Sequence, residues 1–234
     1  MEEGLKEHEH NQNEFQELGI AFDEHILEAL EKHIEIHYGD NTEVFHEIVS
    51  DVIHIDVHIV RPCTERNYFT LITSGLSYLP MPVPEGYEAF TRSELILCLP
   101  PEWPVLEGEY QKEKYWWPFR LIKELARLPH ELDTYITPGT TIPNGDPLEP
   151  YSEETELCCA MTATPLLVDE SFTTLDIDDQ RISFQSIIPI YKEEMDFKLK
   201  NELDALLMRF EKKVPDISEL INPKRKNACK KWWR

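Results

Sequence analysis

VIHIDVHIVRPCTERNYFTLITSGLS, residues 52–77, is the stretch on which the reading of the fold turns. Ile53, Ile55, Val57 and Ile59 alternate with His54, Asp56 and His58, so an extended backbone puts apolar side chains on one face and titratable ones on the other. That is the pattern of a half-buried strand. Arg61-Pro62-Cys63-Thr64-Glu65-Arg66 interrupts it with a proline and charges, and a second β-rich run, Asn67-Tyr68-Phe69-Thr70-Leu71-Ile72-Thr73, follows until Ser74-Gly75 breaks it. The two runs predict a hairpin at the centre of the sheet.

Toward the N-terminus, residues 42–49 fit neither the helical nor the strand period. Before them, Asp23 is placed to cap a helix in which Ile26, Leu30, Ile34 and Tyr38 recur every four residues, with Gly39 as its stop. Residues 1–17 are polar and predict a mobile acidic tail. Toward the C-terminus, residues 79–86 hold too many prolines for regular structure, and residues 89–99 resume as a strand apolar on both faces. Pro118 is suited to the first turn of a helix that buries Phe119, Ile122, Leu125 and Ala126, turns Arg120, Lys123, Glu124 and Arg127 to water, and closes at Pro129. Residues 137–150 form a long irregular stretch, and loops of that length in compact domains are functional or disordered. Residues 157–162 and 182–191 predict strands. Residues 192–210 predict a helix with Met195, Leu199, Leu203, Leu206, Leu207 and Phe210 along one side, stopped by Pro215. The domain is expected over residues 18–214, followed by a basic tail, residues 215–234, that either folds back or stays free.

The chain has 234 residues, 41% of them hydrophobic, which is enough for a sizeable core. Its apolar runs fall short of the ~20 residues that cross a bilayer, and its first residues are acidic where a secretory signal is basic. Five cysteines, odd in number and without a C-x-x-C pair, suggest reduced thiols in a cytoplasmic protein. Acids outnumber Lys and Arg by 45 to 23, a net charge of −22. Six of the basic residues and none of the acids lie from Asn222 onward, so the preceding chain has 17 against 45, or −28. A body so negative repels nucleic acid and anionic membranes and steers toward a basic partner, unless the charge serves solubility alone.

Three constellations carry possible chemistry. His54, Asp56 and His58 share a strand face and could ligate zinc in a metal-dependent hydrolase, although ligands in a straight row stand ~6–7 Å apart and would have to converge. A polar face toward solvent or a neighbour is the plainer reading. Thr73-Ser74-Gly75 lacks the rest of a nucleophile elbow, and Gly75 is better explained by a turn in which Thr73 and Ser74 bond to local backbone. Asp146, Glu149, Glu153 and Glu154 form an acidic cluster, and Trp116 and Trp117 the densest aromatic patch, either packed inside or poised at an interface.

Several segments together resemble the Suppressor-of-fused (SUFU) domain family, in the form that bacteria carry as a stand-alone protein. They are Tyr68 to Leu79 around Thr73-Ser74-Gly75-Leu76-Ser77; Glu94-Leu95-Ile96-Leu97-Cys98-Leu99-Pro100-Pro101; Trp117-Pro118; Asn144-Gly145-Asp146-Pro147; and the strand and helix of residues 181–210. The resemblance implies a single α+β domain, a mixed, largely antiparallel sheet flanked by helices, with no known catalytic activity and no cofactor. In animals the related domain, with a second domain for which this chain has no room, adds a strand from a Hedgehog-pathway transcription factor to its sheet. The counterpart of that edge falls near residues 151–161. Bacterial relatives look like immunity proteins that neutralise toxins, often nucleases. The expected partner is therefore a basic toxin, met by Asn144, Asp146, Glu149, Tyr151, Glu153, Glu154, Trp116 and Trp117. The alternatives are the hydrolase above and a general binder of peptide strands.

Overall fold

The structure is a computed structural model and describes residues 15, 18–40, 42–105, 112–214 and 217–230. The expected N-terminal tail lies outside them except for Phe15, as do Trp232 and Trp233. Eight strands form one mixed, mostly antiparallel sheet: β1 (Thr42–Phe45), β2 (Asp56–Val60), β3 (Phe69–Ser74), β4 (Ser93–Leu99), β5 (Thr141–Pro143), β6 (Cys159–Ala163), β7 (Thr174–Ile177) and β8 (Gln180–Ile190). The long helices are α1 (Glu24–Tyr38), α2 (Glu113–Glu131) and α3 (Lys192–Lys213).

β2 and β3 pair antiparallel from Asp56↔Ser74 to Val60↔Thr70, the expected hairpin. They are not the centre of the sheet. The order is β1-β2-β3-β4-β8-β6-β5, and its middle is the parallel pair β4 and β8. β8 takes that place because it is long enough to pair with β4 along one side and with β6 and β7 along the other. The run is also not half-buried: His54, just before β2, and Asp56 and His58 within it are all buried, because helices cover both faces of the sheet. Adjacent residues of β8 show this. Phe184 points toward α1, 5.5 Å from the His33 ring, while Gln185 Nε2 donates to the Ile136 carbonyl beyond α2.

α1 follows its sequence closely. The Asp23 carboxylate accepts the Ile26 N–H, and Gly39 ends the helix at φ 70°. α2 starts at Glu113, so Pro118 lies beyond its first turn instead of opening it, and the helix continues past Pro129 to Glu131. Lys123 and Arg127 do not face water either. Both pair with Glu47, whose carboxylate also accepts the Ile55 N–H at 3.1 Å. In α3 a break at Glu202 (φ 68°, ψ 175°) turns the helix face, and Leu199, expected inside, is 65% exposed. β4 starts at Ser93, later than expected, because Glu88–Phe90 make a 3-10 turn.

The turn after β3 is built on Glu94, which is fully buried. Its carboxylate accepts from the Thr73 hydroxyl (2.5 Å), the Gly75 and Ser77 N–H groups (3.0 Å each) and the Ser77 hydroxyl (2.6 Å). Thr73 and Ser74 thus bond across the sheet and not to local backbone: the Thr73 hydroxyl also accepts the Leu95 N–H at 2.8 Å, and Ser74 meets His58 Nε2 at 2.8 Å. Gly75 has φ +138°, and a Cβ there would lie 2.2 Å from the His54 carbonyl oxygen, so the position admits no side chain.

Candidate partner-binding site

A cleft of about 900 Å³ opens between the first half of α2 and the loop that follows β5. The loop contributes Asn144, Glu149, Tyr151, Glu153 and Glu154, and the helix contributes Lys114, Arg120 and Glu124. Loop shape is fixed by hydrogen bonds. Asn144 N–H donates to the Cys158 carbonyl and its side-chain amide to the Glu149 carbonyl; Glu149 N–H returns to Asn144, and Tyr151 N–H reaches Leu157. Tyr151 and Trp117 stack at 5.2 Å and 10°, both buried, and so stiffen the wall between helix and loop. Arg120 Nη2 approaches the Tyr151 carbonyl at 3.4 Å. Burial pushes the Glu124 carboxyl above its ordinary value, partly offset by the charge of Arg120.

Five of the eight expected contact residues therefore line one cleft. Trp117 supports it from inside, where its ring is shielded from any partner. Asp146 is exposed at the loop tip outside the lining, and Trp116 lies elsewhere, stacked on Phe119 at 5.3 Å and edge-on to Phe45. Lys114, Arg120 and Glu124 were missed because they belong to another element. The one signal in the sequence was the four-residue spacing of Arg120 and Glu124 on an exposed helix face.

On its other side the stretch Glu153-Glu154-Thr155-Glu156 borders a second cleft of about 360 Å³, closed by the basic C-terminal segment. Lys224 pairs with Glu154 at 3.2 Å and Lys230 with Glu156 at 3.4 Å, all exposed. The segment is locked behind them by Arg225, which is buried and donates to both oxygens of the buried Glu194, at 2.7 and 2.6 Å.

The edge near residues 151–161 is filled. β6 pairs with β5 on one side and β8 on the other. Thr140 and Asn144 bond inward to Thr162 and Cys158, so the alternate residues Thr141 and Pro143 turn outward. That edge offers one N–H, since proline has none.

The residues proposed as metal ligands have other partners. His54 Nε2 lies 3.1 Å from Asp56, and its Nδ1 2.9 Å from the Ser50 hydroxyl. Asp56 also meets His46 Nδ1 at 3.0 Å and accepts the Glu47 N–H at 2.7 Å. Burial alone would raise the Asp56 pKa, but the hydrogen bonds and charges of His54 and His46 hold it below the ordinary value. His58 turns away to Ser74, and burial pushes its imidazole down to about 4. Among the described residues no three His, Cys, Asp or Glu side chains are placed to share an ion. Nor does any described helix have the length and apolarity to cross a membrane.

Comparison with known proteins gives a consistent picture. A family model for Suppressor of fused protein (SUFU) matches residues 51–226. No curated protein matches the sequence. A SUFU homologue from Neisseria gonorrhoeae has the same fold, with a TM-score of 0.61 at 16% identity over 91% of this chain and 98% of that one. A structure of a Sufu–Fu complex gives 0.56 at 18% identity, over 80% and 84%. Drosophila Suppressor of Fused gives the same score and identity over 80% of this chain, which spans 46% of that protein. With the family model matching most of its length and its sheet and helices shared with these structures, the chain belongs to the Suppressor of fused protein (SUFU) family.

Proposed function

We propose that this SUFU domain is a protein-binding module that performs no chemistry of its own, and that its partner is a basic protein, in the strongest form a cognate toxin that it neutralises as an immunity protein. The observation that carries this is the loop bordering the larger cleft. Glu149 and Glu153 stand exposed on it and carry no ion pair among the described residues, on a backbone fixed by hydrogen bonds and by the stacked Trp117 and Tyr151. Exposed carboxylates on a fixed loop, in a chain of net charge −22, speed encounter with a cationic surface. Shape and backbone contacts in the cleft then hold what charge has attracted. A toxin that grips its substrate with Lys or Arg would be blocked by occlusion. The Sufu of the Sufu–Fu complex shares this fold and has a protein partner, which supports the binding role.

The test is to purify the product of the adjacent reading frame and measure its binding kinetics at low and high salt. Association should slow as salt rises while dissociation changes little. Glu149→Lys with Glu153→Lys should weaken binding by about tenfold or more. A salt-independent association rate, or a double variant that binds normally, refutes the charged-loop mechanism.

A further inference from the structure

Away from that loop, a cleft of about 420 Å³ opens between the C-terminal end of α1, the β2–β3 connection and the segment after β6. Its size is that of a small-molecule site. Arg66 forms one wall, with its guanidinium 5.0 Å from the centre of the Tyr38 ring and 5.7 Å from that of Tyr68. Nη1 donates to the Tyr68 carbonyl at 3.0 Å and approaches the Thr70 hydroxyl at 3.5 Å, while Nη2 donates to the Arg61 carbonyl at 2.8 Å. These bonds hold the group in place. Nε–H has no partner among the described residues and Nη2 has one for its two protons, in a chain with 45 acids. Elsewhere in the molecule Arg181 grips Asp176 through the same two nitrogens, at 2.6 Å from Nε and 2.9 Å from Nη2. A guanidinium pre-set in this way fits a carboxylate.

The rest of the lining restricts which carboxylate. Glu65 and Asp169 border the cleft without pairing with Arg66, so a ligand with a second negative charge is repelled and one with a positive charge is favoured. Leu167 and Val168 add an apolar wall. We propose that the cleft binds a small zwitterion of the α-amino acid class. The carboxylate sits on Nε and Nη2 of Arg66, the ammonium faces Asp169 and Glu65, and an apolar side chain rests on Leu167 and Val168.

The full chain is titrated with L-leucine, L-leucinamide and N-acetyl-L-leucine, following the Arg66 Nε–H resonance and the heat of binding. Leucine should move that resonance saturably, and each derivative, lacking one charge, should bind about tenfold or more weakly. No saturable shift with leucine, or a derivative or inorganic phosphate that binds as tightly, overturns the proposal. Arg66→Lys keeps the charge and loses the fork, but it also frees the Arg61 and Tyr68 carbonyls. Asp169→Asn changes an exposed side chain and leaves the fold intact. It should weaken leucine about tenfold, and unchanged affinity in that variant also overturns the proposal.

Discussion

His58 and Glu94 are buried titratable residues that the proposed binding role does not use, and burial shifts their pKa values in opposite directions. Burial disfavours the charged form of each, so it lowers the His58 imidazole to about 4 and raises the Glu94 carboxyl to about 7 despite four donated hydrogen bonds. For His58 the unfolded chain binds the extra proton first. Its stabilising contribution is present above pH ~6.5 and is lost as pH falls toward 4, by about 3 kcal/mol at most. Urea unfolding at pH 7 and pH 4.5 should therefore show a smaller acid loss in His58→Asn than in the natural chain. Equal losses would mean that the imidazole is already charged in the fold. For Glu94 the folded chain keeps a proton that the unfolded chain releases. Its contribution is full below pH ~4.5 and is lost as pH rises through about 7. Glu94→Gln, which never ionises, should remove the decline in stability between pH 5 and pH 8; an unchanged slope would place that decline elsewhere.

Between elements, the decisive contact is the one by which the C-terminal segment closes on α3. Arg225 and Glu194 are both completely buried, and the pair is completed by the Ala228 and Tyr191 N–H groups on Glu194 and the Pro189 carbonyl on Arg225. Removing one partner of such a pair leaves a buried charge, at a cost of about 3–5 kcal/mol, while removing both costs much less. Arg225→Met should lower the unfolding free energy by that amount and expose residues 217–230 to rapid amide exchange, and adding Glu194→Gln should recover most of the loss. A cost below about 1 kcal/mol would mean that the segment is held by its apolar contacts instead. This pairing also marks where the sequence stops being legible. α1 could be read in full, because the Asp23 cap, the apolar spacing and Gly39 are all local signals. Glu194 sits among the charges that open α3, where carboxylates are common at the surface, and its partner is 31 residues away. Nothing local distinguishes it from Glu193. The same limit applies at the cleft: the loop residues that line it share one irregular stretch and can be grouped from the sequence, while Lys114, Arg120 and Glu124 come from a helix brought up by the fold. β7 was missed because four residues, Thr174-Leu175-Asp176-Ile177, are too few to show alternation.

Over the whole molecule, charge is the property that separates this chain from an ordinary domain, and it acts on stability as well as in the binding proposed above. A net charge of −22 on 234 residues leaves carboxylates without enough cations to neutralise them, so the folded state carries a self-repulsion that the expanded chain relieves. Against this stand exposed pairs such as Lys224–Glu154, Lys230–Glu156 and Arg181–Asp176. Each is worth ~0–1 kcal/mol and weakens in salt. The two effects predict opposite responses to ionic strength. At 0.1 M salt the screening length is ~10 Å, short enough to suppress repulsion between carboxylates spread over the surface, yet it barely touches contacts at 3 Å and leaves the buried Arg225–Glu194 pair unscreened. Repulsion should dominate. Raising sodium chloride from about 0.01 to 0.2 M should therefore increase the unfolding temperature by several degrees, and Lys224→Gln with Lys230→Gln, which lowers the net charge from −22 to −24, should steepen that increase. A midpoint that falls with salt would show that the surface pairs outweigh the excess charge. The acidity would then belong to the architecture of the domain instead of being held in reserve for a partner.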